Sequence, residues 1–224
     1  MSVTFLISEY PPLTVPQAAT SSLSAFREWA GDNDLPKNAK LFYYRGEVWV
    51  EMGKEQIFSH VAAKTEFTRV LAGLVKIEKL GTYLTDGVLV TNEDAGLSCN
   101  PDSVFVSRES FESGKTTLAP GVDGGFVELV GSPDMVLEVV SASSEKKDTE
   151  TLLEAYFEAG VREYWLADAR GEAVDFRIYR RGPRAFVATR KQHDWLKSVV
   201  FGRSFRLVRS EDVVGNPEFT VELK

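Results

Sequence analysis

Apolar and polar positions alternate in runs that predict most of the elements. Leu23, Phe26 and Trp29 recur at helical spacing behind Ser21 and Ser22, either of which suits an N-cap, and predict a short helix closed near Gly31. In Leu41 to Met52 the residues Phe42, Tyr44, Val48 and Val50 form an alternating set around Arg45 and Gly46, the pattern of a β-hairpin. Ser59 is expected to cap a strongly amphipathic helix with Ala63, Phe67, Val70, Leu71 and Leu74 on one face and Lys64, Glu66, Arg69 and Lys76 on the other. Thr82 to Thr91 reads as one strand, Val104 to Val106 as another, and Gly114 to Gly125 as a loop. Asp134 to Val140 is, after its first residue, apolar apart from Glu138, as expected of a central strand buried on both faces. Ser141 to Ser144 then lead into a helix with the stripe Leu152, Leu153, Tyr156 and Phe157, stopped at Gly160. Tyr164, Trp165 and Leu166 begin the next strand, and an antiparallel meander follows from Val174. This order predicts an α/β fold with a mixed sheet. The expected layout is an N-terminal arm and helix over 1–40, one domain over 41–210 and a C-terminal tail over 211–224.

Composition narrows the chemistry. With 224 residues, 43% hydrophobic and 26% charged, the chain is long enough for one sizeable core and is no disordered polymer. A single cysteine, Cys99, excludes an internal disulfide and a multi-cysteine zinc site, and two histidines exclude a His-rich centre. The first 20 residues carry an acid and three prolines in place of a basic and then apolar leader, and no apolar run is long enough to span a bilayer, so a cytoplasmic protein is expected. The net charge of −7 is uneven. Between Arg162 and Arg206 eleven basic residues face five acidic ones, a stretch that reads either as a phosphate-tracking face or as a solvated meander.

Two acids stand out by position: Asp102 at the start of an apolar strand and Glu138 in the middle of one. Each alone has an ordinary reading, Asp102 as a turn acid and Glu138 as an edge residue reaching solvent. Brought together at the ends of adjacent strands, two carboxylates can instead hold Mg²⁺, a cation that takes oxygen ligands and activates water for attack on phosphorus.

In order along the chain, Pro101-Asp102 before a strand, the block Pro133-Asp134-Met135-Val136-Leu137-Glu138-Val139-Val140-Ser141, and then Tyr156, Ala159-Gly160-Val161, Glu163-Tyr164-Trp165 and Asp168 resemble the bacterial Uma-two family of restriction endonucleases, within the PD-(D/E)xK nuclease superfamily. The resemblance runs from about Gly46-Glu47 to Asp168, and His60 also matches a common family position. It implies a restriction-endonuclease-like three-layer core with a mixed β-sheet, an N-terminal helix and hairpin, and a C-terminal β-meander. It also implies Asp102 and Glu138 as carboxylates for Mg²⁺ or Mn²⁺, DNA as substrate and a homodimer. The superfamily lysine, two residues beyond the second acid, is here Val140, and the position used by the family in the following helix is Leu152. Lys146 and Lys147 are the candidate replacements, although Lys147 is five residues before Leu152, about 500° of α-helical rotation. Glu51, and beside it Glu47, are candidates for a further metal-shell acid, and His60 and Asp148 for site neighbours. Two functions follow: a Mg²⁺-dependent DNA endonuclease, or a catalytically impaired nuclease fold that binds nucleic acid or regulates. A carboxylate-pair hydrolase such as a glycosidase is a third.

Overall fold

The computed structural model describes residues 14–31, 35–36, 39–121 and 124–224, and the backbone of Thr4–Ser8. In chain order the strands are β1 (Thr4–Ser8), β2 (Lys40–Tyr44), β3 (Glu47–Met52), β4 (Gly81–Thr85), β5 (Leu89–Asn92), β6 (Leu97–Cys99), β7 (Ser103–Ser107), β8 (Thr116–Pro120), β9 (Phe126–Gly131), β10 (Met135–Val139), β11 (Glu163–Asp168), β12 (Asp175–Arg181), β13 (Phe186–Ala188), β14 (Leu196–Lys197), β15 (Ser204–Glu211) and β16 (Pro217–Leu223). The α-helices are α1 (Leu23–Ala30), α2 (Ala63–Glu78), α3 (Arg108–Glu112) and α4 (Leu152–Glu158). Short π-helical turns over Ile57–Ala62 and Lys147–Thr151 lead into α2 and α4.

The central sheet has the order β13-β12-β11-β10-β7-β4. β10 runs parallel to β11 through the α4 crossover and antiparallel to β7. Period-2 alternation splits β10 between two cores. Met135, Leu137 and Val139 pack toward α2 and the three-stranded sheet β14-β15-β16. Val136 and Val140 pack toward α4 and the seven-stranded sheet β1-β3-β2-β6-β5-β9-β8. Burial on both faces explains the unbroken apolar run, and it sends Glu138 to the α4 side.

Several expectations need correction. Arg45 and Gly46 both take positive φ, making a two-residue turn in which Phe42 opposes Trp49 and Tyr43 opposes Val48. Phe42 and Tyr44 therefore face the α4 core while Val48 and Val50 face α1, so the expected single face is in fact two. Thr82 to Thr91 is interrupted at Asp86 and Gly87 (φ 75°), which divide it between β4 and β5 in different sheets. The expected loop contains β8, paired along β9. Ser59 lies inside the π-turn, and its N–H is capped by the Gln56 side chain at 2.5 Å. The expected tail holds β16, paired with β15 from Phe205↔Leu223 to Glu211↔Pro217, with Phe219 and Val221 in the core. Most of the expected N-terminal arm lies outside the described residues.

Glu163 ties the C-terminal sheet to the centre. Fully buried at the start of β11, its carboxylate accepts hydrogen bonds from Trp165 Nε1 (3.0 Å), Ser198 Oγ (2.6 Å) and Val199 N–H (2.5 Å). Glu163→Ala strands these buried donors together, and a loss of about 3 kcal/mol is expected in urea unfolding. A loss under 1 kcal/mol would show that water replaces the carboxylate.

Candidate active site

The site forms where the C-terminal end of β10 meets the start of β7. Asp102 and Glu138 are 2% and 5% exposed. The Val139 N–H donates to Asp102 Oδ2 at 2.7 Å, and the Asp102 N–H donates to Glu138 Oε2 at 3.3 Å. Each acid is thus held by backbone next to or within the other, which fixes their separation without a flexible link. Tyr156, on α4, donates its hydroxyl to Glu138 Oε1 at 2.7 Å. Cys99 Sγ is 3.5 Å from the same hydroxyl, and burial pushes its thiol up to about 12, so it stays neutral.

The two carboxylates differ in environment. Burial, then Asp102 and Asp148 nearby, push Glu138 up to about 8 despite Lys147 and the Tyr156 hydrogen bond. Burial opposes ionisation of Asp102 too, but Lys40, His60 and Lys64 outweigh it and hold its carboxyl below the usual range. Near neutral pH the pair therefore holds one proton, on Glu138. The folded chain keeps that proton up to about 8 while the unfolded chain releases it near the ordinary carboxyl value, so folding stability falls as pH rises through this window. Glu138→Gln removes the penalty. It is expected to exceed the wild type by about 3 kcal/mol at pH 8.5 and to show little difference at pH 4.5, read as urea midpoints. A difference independent of pH would exclude this origin.

Lys147 closes the other side. Its ammonium lies 3.0 Å from Asp148 Oδ1 and 3.2 Å from Glu51 Oε1, and 5.8 Å from the centroid of Phe42. Burial alone would lower its pKa, but Asp148, Glu51 and Glu138 raise it well above the ordinary value, so Lys147 is a fixed cation and no proton acceptor. Burial raises Asp148 to about 6; Ser144 Oγ donates to its carboxylate, and Tyr164 donates to its backbone carbonyl at 2.9 Å. Lys147, Glu138, Glu51, Phe42, Trp49 and Lys40 line one narrow pocket. The direction of Lys147 corrects the rotation expected of an α-helix. The Leu152 N–H bonds to the Lys147 carbonyl, an i→i+5 link, and in this looser winding five residues make about one turn. Leu152 itself is fully buried in the core, as is Val140 at 1% exposure.

A second set of groups surrounds Asp102. Lys40, at the start of β2, donates to Asp102 Oδ1 and lies 3.3 Å from Glu55 and 3.5 Å from Asp86. Lys64, on α2, lies 2.9 Å from Glu55, 3.1 Å from Asp86 and 3.6 Å from Asp102. His60, in the π-turn before α2, places Nε2 3.7 Å from Asp102 Oδ2 and Nδ1 3.3 Å from Glu55 Oε2.

The structure therefore gathers Asp102, Glu138, Lys147, Glu51, His60 and Asp148 in one region. Lys146 is exposed beside it, and Glu47 is exposed at the hairpin turn, one strand length from Glu51. Sequence reading missed Lys40, Glu55, Lys64 and Asp86. Lys64 was expected on a solvated face and is 7% exposed; its spacing of four from His60 was the available signal. Much of the basic stretch is neutralised, with Arg162 paired to Asp134, Arg170 to Asp168 and Glu145, Arg177 to Asp175, Arg203 to Glu78 and Arg206 to Glu222. Arg180, Arg190 and Lys197 line a groove with Trp195 and Lys224. In the strand register Arg180 stands opposite Glu163, whereas Glu138 stands opposite Leu166, so this groove lies toward the other end of β11 from the acid pair. No helix among the described residues is long and apolar enough to cross a membrane.

A solved structure from Anabaena variabilis ATCC 29413, titled as "a putative nuclease belonging to DUF820", shares 18% identity and superposes with a TM-score of 0.57 over 81% of this chain and 90% of its own. That likeness supports the restriction-endonuclease-like α/β fold. No curated protein sequence matches. The sequence model of the Uma2 family, described as "Putative restriction endonuclease", matches residues 23–222, which include the acid pair, the lysine-bearing turn and the C-terminal sheet. The chain belongs to the Uma2 family.

Proposed function

We propose that this protein is a divalent-metal-dependent endonuclease that hydrolyses phosphodiester bonds of DNA in the cytoplasm. The observation that carries the reading is the reciprocal backbone anchoring of Asp102 and Glu138, with Lys147 on the same pocket. Buried carboxylate oxygens suit a hard cation, and burial, with Asp102 and Asp148 nearby, makes the charged form of Glu138 costly until a cation offsets it. Asp102 and Glu138 are the residues that would hold Mg²⁺ or Mn²⁺, with Glu51 available across Lys147. The bound cation supplies Lewis acidity toward a phosphoryl oxygen and a more acidic water.

The chain's own groups do the rest. Tyr156 keeps Glu138 Oε1 oriented, and the two backbone N–H bonds keep both carboxylates from turning away. Lys147 brings a permanent positive charge to the pocket that a scissile phosphate would enter, offsetting the charge that grows on its oxygens. Asp148, fixed by Ser144, holds Lys147 in place. Cutting both strands of a duplex calls for two such sites, so a homodimer is proposed with it.

The test is incubation of purified protein with labelled single- and double-stranded DNA and RNA in Mg²⁺ or Mn²⁺, with Asp102→Asn as control and mass by light scattering. DNA cleavage lost in the control supports the reading. Salt-sensitive DNA binding without cleavage under either ion would instead favour a binding or regulatory module, and cleavage of RNA alone would replace the substrate.

A further inference from the structure

We propose that Glu55, His60 and Asp102 form a mixed nitrogen and oxygen cation site that prefers a first-row transition ion, Mn²⁺ among them, to Mg²⁺. The site is distinct from the Asp102 and Glu138 pair in two of its three ligands, and it stands whether or not the protein cleaves DNA. One donor atom from each of the three residues lies within 4.8 Å of the other two, a spread that a single ion can bridge. His60 is the independent pointer. It is 5% exposed, and its Nδ1 is buried without a hydrogen-bond partner although Glu55 Oε2 is only 3.3 Å away. Its other nitrogen faces Asp102 at 3.7 Å. A buried imidazole held between two carboxylates, with an unpartnered ring nitrogen, has the donor set of a metal ligand.

Donor chemistry sets the choice of ion. Mg²⁺ takes oxygen ligands and water, whereas a site that adds an imidazole to carboxylates holds first-row transition ions more tightly, Mn²⁺ the least of them. Charge also fits. With the imidazole neutral, as a metal ligand must be, Glu55, Asp86 and Asp102 against the ammonium groups of Lys40 and Lys64 leave one negative charge to be met. Both lysines contact Glu55 and Asp102, the carboxylates an ion would use. Asp86, 3.5 Å from Lys40 and 3.1 Å from Lys64 and half-exposed, is the acid left to keep both lysines when the ion binds. The geometry is set locally, since His60 belongs to a π-helical turn and Glu55 lies in the segment just before it.

Pulsed electron paramagnetic resonance of Mn²⁺ added to the full chain tests this directly, because imidazole ligation adds a nitrogen modulation that oxygen ligands cannot give. The expected spectrum shows that modulation. His60→Gln is expected to abolish it and weaken Mn²⁺ binding at least ~10-fold by titration. Glu55→Gln changes a more exposed residue, leaves the core intact, and is expected to weaken binding about 10-fold with the nitrogen modulation retained. Mg²⁺ is expected to displace Mn²⁺ only at about 10-fold excess or more. Mn²⁺ bound without nitrogen modulation, displacement by equimolar Mg²⁺, or no binding at millimolar ion each overturns the assignment. DNA cleavage that persists in those cases leaves the nuclease reading standing. Nitrogen-coupled binding with no cleavage of any nucleic acid removes the nuclease reading alone.

Discussion

Asp102→Asn is expected to lower DNA cleavage about 10³-fold while the chain stays folded. Asn keeps the size of Asp102 and still accepts the 2.7 Å hydrogen bond from the Val139 N–H through its amide oxygen. What it removes is charge. Asp102 is the acid of the pair that is ionised before any cation arrives, because Lys40, His60 and Lys64 outweigh its burial. It is also the residue shared by the acid pair and the Glu55 and His60 cluster. Removing its charge therefore weakens any cation held in this region and leaves two ammonium groups facing a neutral amide. Single-turnover cleavage at saturating protein reads the effect, with circular dichroism as the check on folding. A rate within tenfold of the wild type would remove Asp102 from the chemistry.

Lys147→Met is expected to cost about 10² in kcat with little change in KM. The lysine sits among Asp148, Glu51 and Glu138, and its charge is permanent over the working pH range. The expected contribution is electrostatic, and such a contribution grows with the charge of the transition state more than with that of bound substrate. The same substitution leaves buried acids short of a counter-charge and costs stability of about 3 kcal/mol, so a second variant is needed. Lys147→Arg keeps the charge and is expected to fold like the wild type and retain cleavage to within about tenfold. Loss of activity in Met that is matched in Arg would assign Lys147 to packing. Loss in Met that Arg relieves would assign it to charge.

The central strand could be read directly. Five consecutive buried residues in β10 left their mark as an apolar run, and the acid inside it was conspicuous because burial of a carboxylate is costly. Asp102 was legible because it sits at the start of a second such strand. Lys40, Glu55 and Asp86 were not, because each lies at the end of an element or between elements, where no periodicity fixes direction. They meet only after β2, α2 and β4 have been brought together by long-range packing. Lys64 was misread for a different reason. A helix face lined with Lys64, Glu66, Arg69 and Lys76 looks solvated, yet Lys64 points into the acid cluster and Glu66 accepts the Val221 N–H at 3.0 Å. Amphipathic pattern ranks residues by polarity, and polar partners inside a protein defeat it.

The π-helical turn over Lys147–Thr151 has a consequence for how catalytic motifs drift. A fixed-spacing signature assumes that the chain between two residues winds as an α-helix, so that residue number is a proxy for direction. One extra residue accommodated as i→i+5 bonding rotates everything before it relative to everything after it. A lysine lost from one position can then be succeeded by another five residues earlier, through a single insertion and without remodelling the acid pair. Inspection of motifs alone would class such a chain as a degenerate relative. Its hydrogen-bond ladder shows where a succeeding lysine is to be sought.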